Sequence, residues 1–211
     1  MELKHTDDDP NKEVTQRTPL PSAKLLMNTG GNDKQIGLDR KGFVIREIDE
    51  GTEVKITASL AGFLSAEVSL KTPVSPLSDT TINVELALDK IIYDKEIILN
   101  DIYYDYDKWA IRDDAKPSLD SLTRIMKLNP NIYIQLGAHT DCQGTVEYNQ
   151  ELSQKRAFSA KDYLVGKGIA LSRVQSVGYG KSQPIDKCVC ESCTEAQHQT
   201  NRRTSFKIVK N

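Results

Sequence analysis

The sequence has little that would tie the chain to a membrane, a metal or a nucleic acid. No apolar run approaches the roughly 20 residues that a membrane-crossing helix needs. Neither sign of charge is in excess: 28 basic residues against 30 acidic ones leave a net charge of −2. No global field therefore draws the chain to nucleic acid or to an anionic bilayer. Histidine occurs three times, at His5, His139 and His198, and no metal-ligand spacing such as HExxH is present. An apolar leader is missing too, because Met1 runs directly into the polar ELKHTDDDPNK. An exported form of the protein is then expected to carry its targeting segment upstream of this chain. What is present is ordinary for a globular protein: 211 residues, 38% hydrophobic and 27% charged. At roughly 100–200 residues per domain, one or two domains are expected.

The four cysteines are unevenly spread. Cys142 follows Asp141, while Cys188, Cys190 and Cys193 share one short loop. An even count fits two disulfides in an oxidising compartment. Cys188 and Cys190 are too close in sequence for a relaxed bridge, whose alpha carbons should lie about 4.4–6.8 Å apart. One bridge inside the loop and one from the loop to Cys142 are therefore expected. The competing arrangement is a structural zinc held by thiolates, helped by His198.

Pattern along the chain divides it into three parts: a polar leader or truncated first strand over 1–18, a β-sandwich over 19–90, and a mixed α/β domain over 91–211. The leader carries Asp7, Asp8 and Asp9 before Pro10. In the second part KLLMN, GFVIREI, EVKITASL, AEVSL and TINVELAL read as short strands between turn signals. Val54, Ile56 and Ala58 fall on one face of EVKITASL, with Lys55 and Thr57 on the other. The third part opens with IIYDKEIILNDIYYDYD, rich in β-favouring Ile and Tyr. A helix is predicted over 113–128, with Asp113 or Asp114 as N-cap, Pro117 in the first turn and Leu119, Leu122, Ile125 and Met126 as its apolar stripe. Asn129-Pro130 ends it. The strand NIYIQLGA, a long helix over 145–166, then the strands VQSVGYG and RTSFKIV complete the order β-α-β-α-β-β. That order predicts a sheet covered on one side by two helices, so the whole chain is α+β: a β-sandwich followed by an α/β sandwich.

Asp141 stands at the turn between strand and long helix, and Arg156 lies within that helix. Asn149, Leu152 and Arg156 share one helix face, beside a stripe of Ser153, Ala157, Ala160 and Leu164 that should pack on the sheet. One fixed anion and one fixed cation facing a common pocket suit a zwitterion, such as the free amino-acid end of diaminopimelate in a bacterial wall peptide.

The motifs HTDCQG, YNQELSQKRA, VGYGKSQP and NRRTSF, in that order over about 97–210, resemble the OmpA C-terminal-like domain, with Tyr104-Asp105-Tyr106-Asp107 standing for its FDFD opening. The resemblance implies non-covalent binding of the peptidoglycan stem peptide at its diaminopimelate end. It places Asp141 on the ammonium and Arg156 on the carboxylate. Tyr106, Asp107, Leu152 and Arg202 line the same pocket by that resemblance, and Asn149 is an orienting group. Ala138 departs from the family, standing where a glycine usually precedes HTD. TPLPSAK, the DRKGF turn and ASLAGF resemble a carboxypeptidase-regulatory-like β-sandwich. The domain pair is similar to wall-anchored outer-membrane lipoproteins of the type IX secretion machinery. What this implies is a lipid-anchored protein on the periplasmic face of the outer membrane, with peptidoglycan as partner and secretion-complex proteins reached through the sandwich. No cofactor and no nucleic acid is expected.

Two other readings compete. A scaffold module with the same fold would have a protein as its main ligand. An enzyme would need a complete site, yet Asp105, Asp107, His139 and Asp141 show no catalytic spacing and Ser153 has no evident base. Tyr103, Tyr104 and Tyr106 would suit sugar stacking, although alternating tyrosines in a strand more often divide between core and rim.

Overall fold

The computed structural model describes residues 18–74, 81–99 and 108–210, together with the backbone of 2–5. Tyr103, Tyr104, Asp105, Tyr106 and Asp107 lie outside the described residues, so their expected placements carry no structural account. The chain divides into two compact units, Met1–Ile91 and Ile92–Asn211.

The first unit holds β1 (Glu2–His5), β2 (Thr18–Pro19), β3 (Lys24–Thr29), β4 (Asn32–Ile36), β5 (Glu53–Ser59), β6 (Ala66–Lys71) and β7 (Glu85–Leu88). One sheet has the order β4-β3-β5-β6, all antiparallel; the other has the order β2-β1-β7, in which β1 runs parallel to β7. Leu25, Ile36, Val54, Ile56, Ala58, Leu86 and Leu88 come from both sheets and form a single apolar core. The alternation in β5 follows the pleat: Val54, Ile56 and Ala58 are buried while Lys55 points to solvent.

One strand expectation in this unit needs correction, and one strand was not expected. GFVIREI is not a strand. The Asp39 carboxylate accepts from the backbone N–H groups of Lys41 and Phe43, both at 2.8 Å, and this closes a turn. Val44 and Ile48 then lean on the core from irregular chain, while Ile45 is 89% exposed. The missing strand is β4, whose sequence NDKQI is polar because it lies on a sheet edge with only Ile36 facing inward. Gly30 and Gly31, at φ +60° and +86°, make the two-residue turn that pairs Thr29 with Asn32. Such turns need positive φ at both central positions, which glycine adopts without steric cost.

The second unit holds β8 (Ile97–Leu99), α1 (Lys116–Leu128), β9 (Tyr133–His139), α2 (Val146–Gly166), β10 (Val174–Gly180), α3 (Glu195–Asn201) and β11 (Thr204–Val209). Its sheet has the order β10-β9-β11-β8, with β9 and β10 parallel and the other pairs antiparallel. Ile134, Leu136, Phe206 and Ile208 are buried on one face, and Ser153, Ala157, Ala160 and Leu164 are the buried small and apolar residues of α2. Small residues there let the helix approach the strands closely. Leu119, Leu122 and Met126 bury the inner face of α1, whereas Ile125 is 36% exposed at its margin.

Asp113 and Asp114 do not cap α1. Asp113 pairs with Lys116 at 2.5 Å and Asp114 with Arg112 at 2.9 Å, in a 3-10 turn that precedes the helix. The N-cap position falls on Ala115, which offers no side-chain bond. α3 stands where a loop was expected.

Candidate functional site

The site is built around the turn that carries β9 into α2. His139 N–H donates to the Arg203 carbonyl on one side and Thr140 N–H to the Gly180 carbonyl on the other, each at 2.9 Å. The turn therefore leaves the sheet between β10 and β11 with its direction fixed. Asp141 comes next and is only 8% exposed. Its Oδ1 accepts from Gln143 N–H at 3.0 Å, a local turn that aspartate side chains commonly stabilise. Gly144, at φ +83°, completes the bend, and the Thr145 hydroxyl caps α2 by accepting from Tyr148 N–H. Asn149 reaches back from the first turn of α2 to donate to the Gln143 carbonyl at 2.6 Å. Lys181 Nζ donates to the Gly144 carbonyl at 2.8 Å, closing the other flank.

Arg202 meets Asp141 directly, its Nη1 donating to Oδ2 at 2.7 Å. The rest of the guanidinium is held by Gln199 and Glu195, both on α3. Burial works against the Arg202 charge, but the hydrogen bonds to Glu195 and Asp141 outweigh it and raise its pKa. His198, also on α3, lies with Nδ1 3.7 Å from the same Asp141 oxygen. α3 and the residue that ends it thus supply the side chains that face Asp141 Oδ2, while Gln143 N–H holds Oδ1. Its start was marked in the sequence by Thr194-Glu195-Ala196-Gln197, whose Thr and Gln form a capping box.

Two disulfides fasten this arrangement: Cys142 to Cys190, and Cys188 to Cys193. One bridge lies within the loop and the other joins the loop to Cys142, as the spacing led us to expect. Cys142, Cys193 and His198 present potential metal-ligand atoms within 4.8 Å of one another. All four sulfurs are consumed in the two bridges, so no thiolate is available there.

Arg156 is buried, at 6% exposure, in the middle of α2. Its Nε donates to the Lys108 carbonyl at 3.1 Å, tying the helix to the segment that follows Asp107. It lies seven residues beyond Asn149, about 10.5 Å along the helix at 1.5 Å per residue. Leu152, between them, is half-buried. The structure thus gathers Asp141, Asn149 and Arg202 around one turn. It sets Arg156 further along α2, against the residue that adjoins Asp107.

His139, one of the weighed catalytic candidates, sits instead in a polar cluster with Tyr179, Glu96, Arg203 and Ser205. Its ring stacks on Tyr179 with centroids 4.9 Å apart. Its Nε2 is 3.2 Å from Glu96 Oε1, yet neither ring nitrogen makes a directional hydrogen bond among the described residues. Burial, reinforced by the Arg203 charge and only partly offset by Glu96, pushes the imidazole pKa down to about 4. Burial alone would raise the Glu96 carboxyl, but the Ser205 hydroxyl, Arg203 and His139 outweigh it and hold it below its ordinary value. As pH falls from 6.5 towards 4, the unfolded chain takes up a proton on His139 that the folded chain refuses. His139 therefore withdraws stability progressively across that window, whereas the Glu96 contribution is lost only at lower pH. Urea midpoints measured at about pH 7.5 and about pH 4.5 should differ less in His139→Gln than in the wild type. An unchanged difference would remove His139 as its source.

Residues 103–198 match the OmpA family model. The chain is similar to outer membrane porin F of Pseudomonas fluorescens, with 35% identity over 108 residues, which cover 51% of this chain and 32% of the porin. It is also similar to the peptidoglycan-associated lipoprotein of Rhizobium meliloti, with 38% identity over 92 residues, 44% of this chain and 52% of the lipoprotein. Among solved structures it is similar to the peptidoglycan-associated lipoprotein from Burkholderia pseudomallei, at 29% identity and a TM-score of 0.47, covering 51% of this chain and 87% of that one. The chain spans between about a third and about half of the length of these two curated relatives. The stretch that matches the OmpA family model, residues 103–198, includes the Asp141 turn and most of the α/β unit.

Proposed function

We propose that the second unit binds peptidoglycan non-covalently, gripping the diaminopimelate end of the stem peptide, and so anchors an outer-membrane protein or complex to the cell wall. It is a binding module, not an enzyme. The observation that carries the reading is Asp141: a carboxylate almost withdrawn from water and oriented by Gln143 and Arg202, within a segment matching the OmpA family. An ionised carboxylate can accept about four hydrogen bonds, so capacity remains for a ligand ammonium beside the two partners it has. Arg156 is the proposed partner of the ligand carboxylate, where a guanidinium gives a charge-assisted and directional contact. Tyr106, Asp107, Leu152 and Arg202 complete the proposed pocket, with Asn149 holding the turn.

The reading is supported by relatives named as peptidoglycan-associated lipoproteins, and the proposal includes a lipid-anchored protein on the periplasmic face of the outer membrane. The resemblance of residues 19–90 to a regulatory-type β-sandwich extends it to type IX secretion partners.

Conservative variants test the pocket without emptying it. Asp141→Asn keeps the shape and can still accept from Gln143 N–H; Arg156→Lys keeps a positive charge. Each should weaken binding to diaminopimelate-type sacculi by at least about thirtyfold, because losing one partner of a desolvated charge contact costs about 2–5 kcal/mol. Circular dichroism should show an intact fold. Sacculi with lysine at the third position lack the terminal carboxylate and should bind comparably weakly to the wild type. If both variants sediment with sacculi as the wild type does, the pocket is elsewhere.

A further inference from the structure

We propose that a groove on the outer side of α2 is a saccharide subsite, which takes the glycan strand carrying the stem peptide. This rests on the wall-anchor reading and adds a second point of contact to it. The groove, of about 1010 Å³, runs between the 109–111 segment and α2, with Trp109, Ile111 and Phe158 as its apolar surfaces. Trp109 is 46% exposed and Phe158 58% exposed, so two aromatic rings face solvent in one hollow. Lys155 Nζ sits 4.7 Å from the Trp109 ring centroid and pairs with Glu151 at 2.6 Å, which holds the indole beside the helix.

The chemistry of the walls selects the occupant. A pyranose has an apolar C–H face and a rim of hydroxyls. It matches an aromatic surface edged by Glu151 and Ser159, both of which line the groove. Among the described residues Glu147, Glu151 and Asp162 stand on those walls against one cation, Lys155, which disfavours a phosphate-bearing ligand and leaves a neutral sugar unaffected.

Position supplies the link to the peptide site. Arg156, the proposed ligand for the stem carboxylate, donates to the carbonyl of Lys108, the residue before Trp109. Lys155, its neighbour in sequence, faces the groove. A peptide held at Arg156 thus has its attached glycan within reach of Trp109. A binding partner with an apolar peptide for the same groove would show no dependence on sugar.

The test uses the protein's own reporter, because Trp109 is the one tryptophan in the chain. Calorimetry and tryptophan fluorescence are followed while titrating two probes. One is a diaminopimelate-containing stem tripeptide; the other is the same tripeptide on its N-acetylglucosamine–N-acetylmuramic acid disaccharide. The disaccharide should tighten binding by about fivefold to tenfold and shift the emission, since one aromatic contact contributes on that scale. In Trp109→Ala the ratio between the two affinities should fall to about one, and Trp109→Phe, which keeps a ring, should restore part of it. Equal affinities for both probes in the wild type, or a ratio retained in Trp109→Ala, overturns the subsite. Failure of the sugar-free tripeptide to bind would count against the anchor reading instead. Emission changes with the disaccharide alone would then still support the groove, and their absence would refute it.

Discussion

Gly178→Ala is expected to destabilise the second unit by about 3 kcal/mol or more, as over-packing does when the neighbour is backbone and cannot move aside. A Cβ placed on Gly178 would lie 2.6 Å from Gln154 Cα and 2.6 Å from Ser153 Oγ, and closer still to the backbone nitrogen of Gln154. α2 cannot back away without loosening what binds it to β10. Gln154 Oε1 accepts from Gly178 N–H at 2.9 Å, Gln150 Nε2 donates to the Gly178 carbonyl at 2.7 Å, and Ser153 Oγ accepts from Gly180 N–H at 2.8 Å. Gly137 provides the contrast. An added Cβ there would meet the Tyr179 ring at 2.9 Å and the Ser205 hydroxyl at 3.2 Å, both side chains that can turn. Gly137→Ala should therefore cost clearly less. Urea denaturation of both variants checks the order, and comparable losses would mean that α2 and β10 do not touch so closely. On the proposed reading the loss would reach binding too, because α2 carries both Asn149 and Arg156.

Much of this unit was legible in sequence, for a physical reason. α2 runs for 21 residues with its small and apolar stripe at helical spacing, and β9, β10 and β11 are six or seven residues each of β-favouring composition. Long periodic segments declare themselves because burial repeats along them. Short or edge elements do not. β4 is almost wholly polar, since an edge strand exposes its side chains, and only its Gly-Gly turn marks the hairpin. α3 has seven residues and no apolar period, so the capping box at Thr194 was its one signal. GFVIREI has the composition of a strand, yet it forms no more than an isolated bridge at Phe43, which alternation along one segment cannot reveal.

The candidate site divides in the same way. Asp141 was legible because the strand-to-helix turn positions it and because the surrounding motif is specific. The resemblance placed Arg202 in the same pocket, but its hydrogen bond to Asp141 was not legible, since Arg202 is 61 residues away in sequence and directly follows a helix that was read as loop. The same distance in sequence hid the placement of His198, whose ring lies beside Cys142 and Asp141. The Asp113 and Asp114 caps failed because nearby Lys116 and Arg112 offered these carboxylates opposite charge. Local rules give the preference of a residue; they do not give its competitor.

Opening the Cys142–Cys190 bridge should weaken both stability and wall binding, and opening Cys188–Cys193 should do much less to either. The first closes a separation of 48 residues and the second one of 5. On the chain-entropy scale these are worth about 4 and about 2 kcal/mol respectively, as upper values. Only the first touches the Asp141 turn. It joins Cys142, next to Asp141, to the loop that leads into α3, from which Arg202 and His198 reach the same carboxylate. Without it, α3 and the turn are held together mainly by the Arg202–Asp141 contact, so that contact must bear the entropy of aligning both. Binding should fall by about tenfold rather than vanish, because Asn149 and Lys181 still hold the turn from α2 and β10. The paired variants Cys142→Ser with Cys190→Ser, and Cys188→Ser with Cys193→Ser, separate the two bridges in urea denaturation and sacculus sedimentation. Reduction of the wild-type protein with a dithiol should reproduce the double loss. A chelator is needed in that experiment, since the released Cys142 and Cys193 sulfurs would lie with His198 within the 4.8 Å spacing that a metal ion can exploit. If the two serine pairs lose equal affinity, the long bridge does not position Asp141, and the turn is set by α2 and the sheet alone.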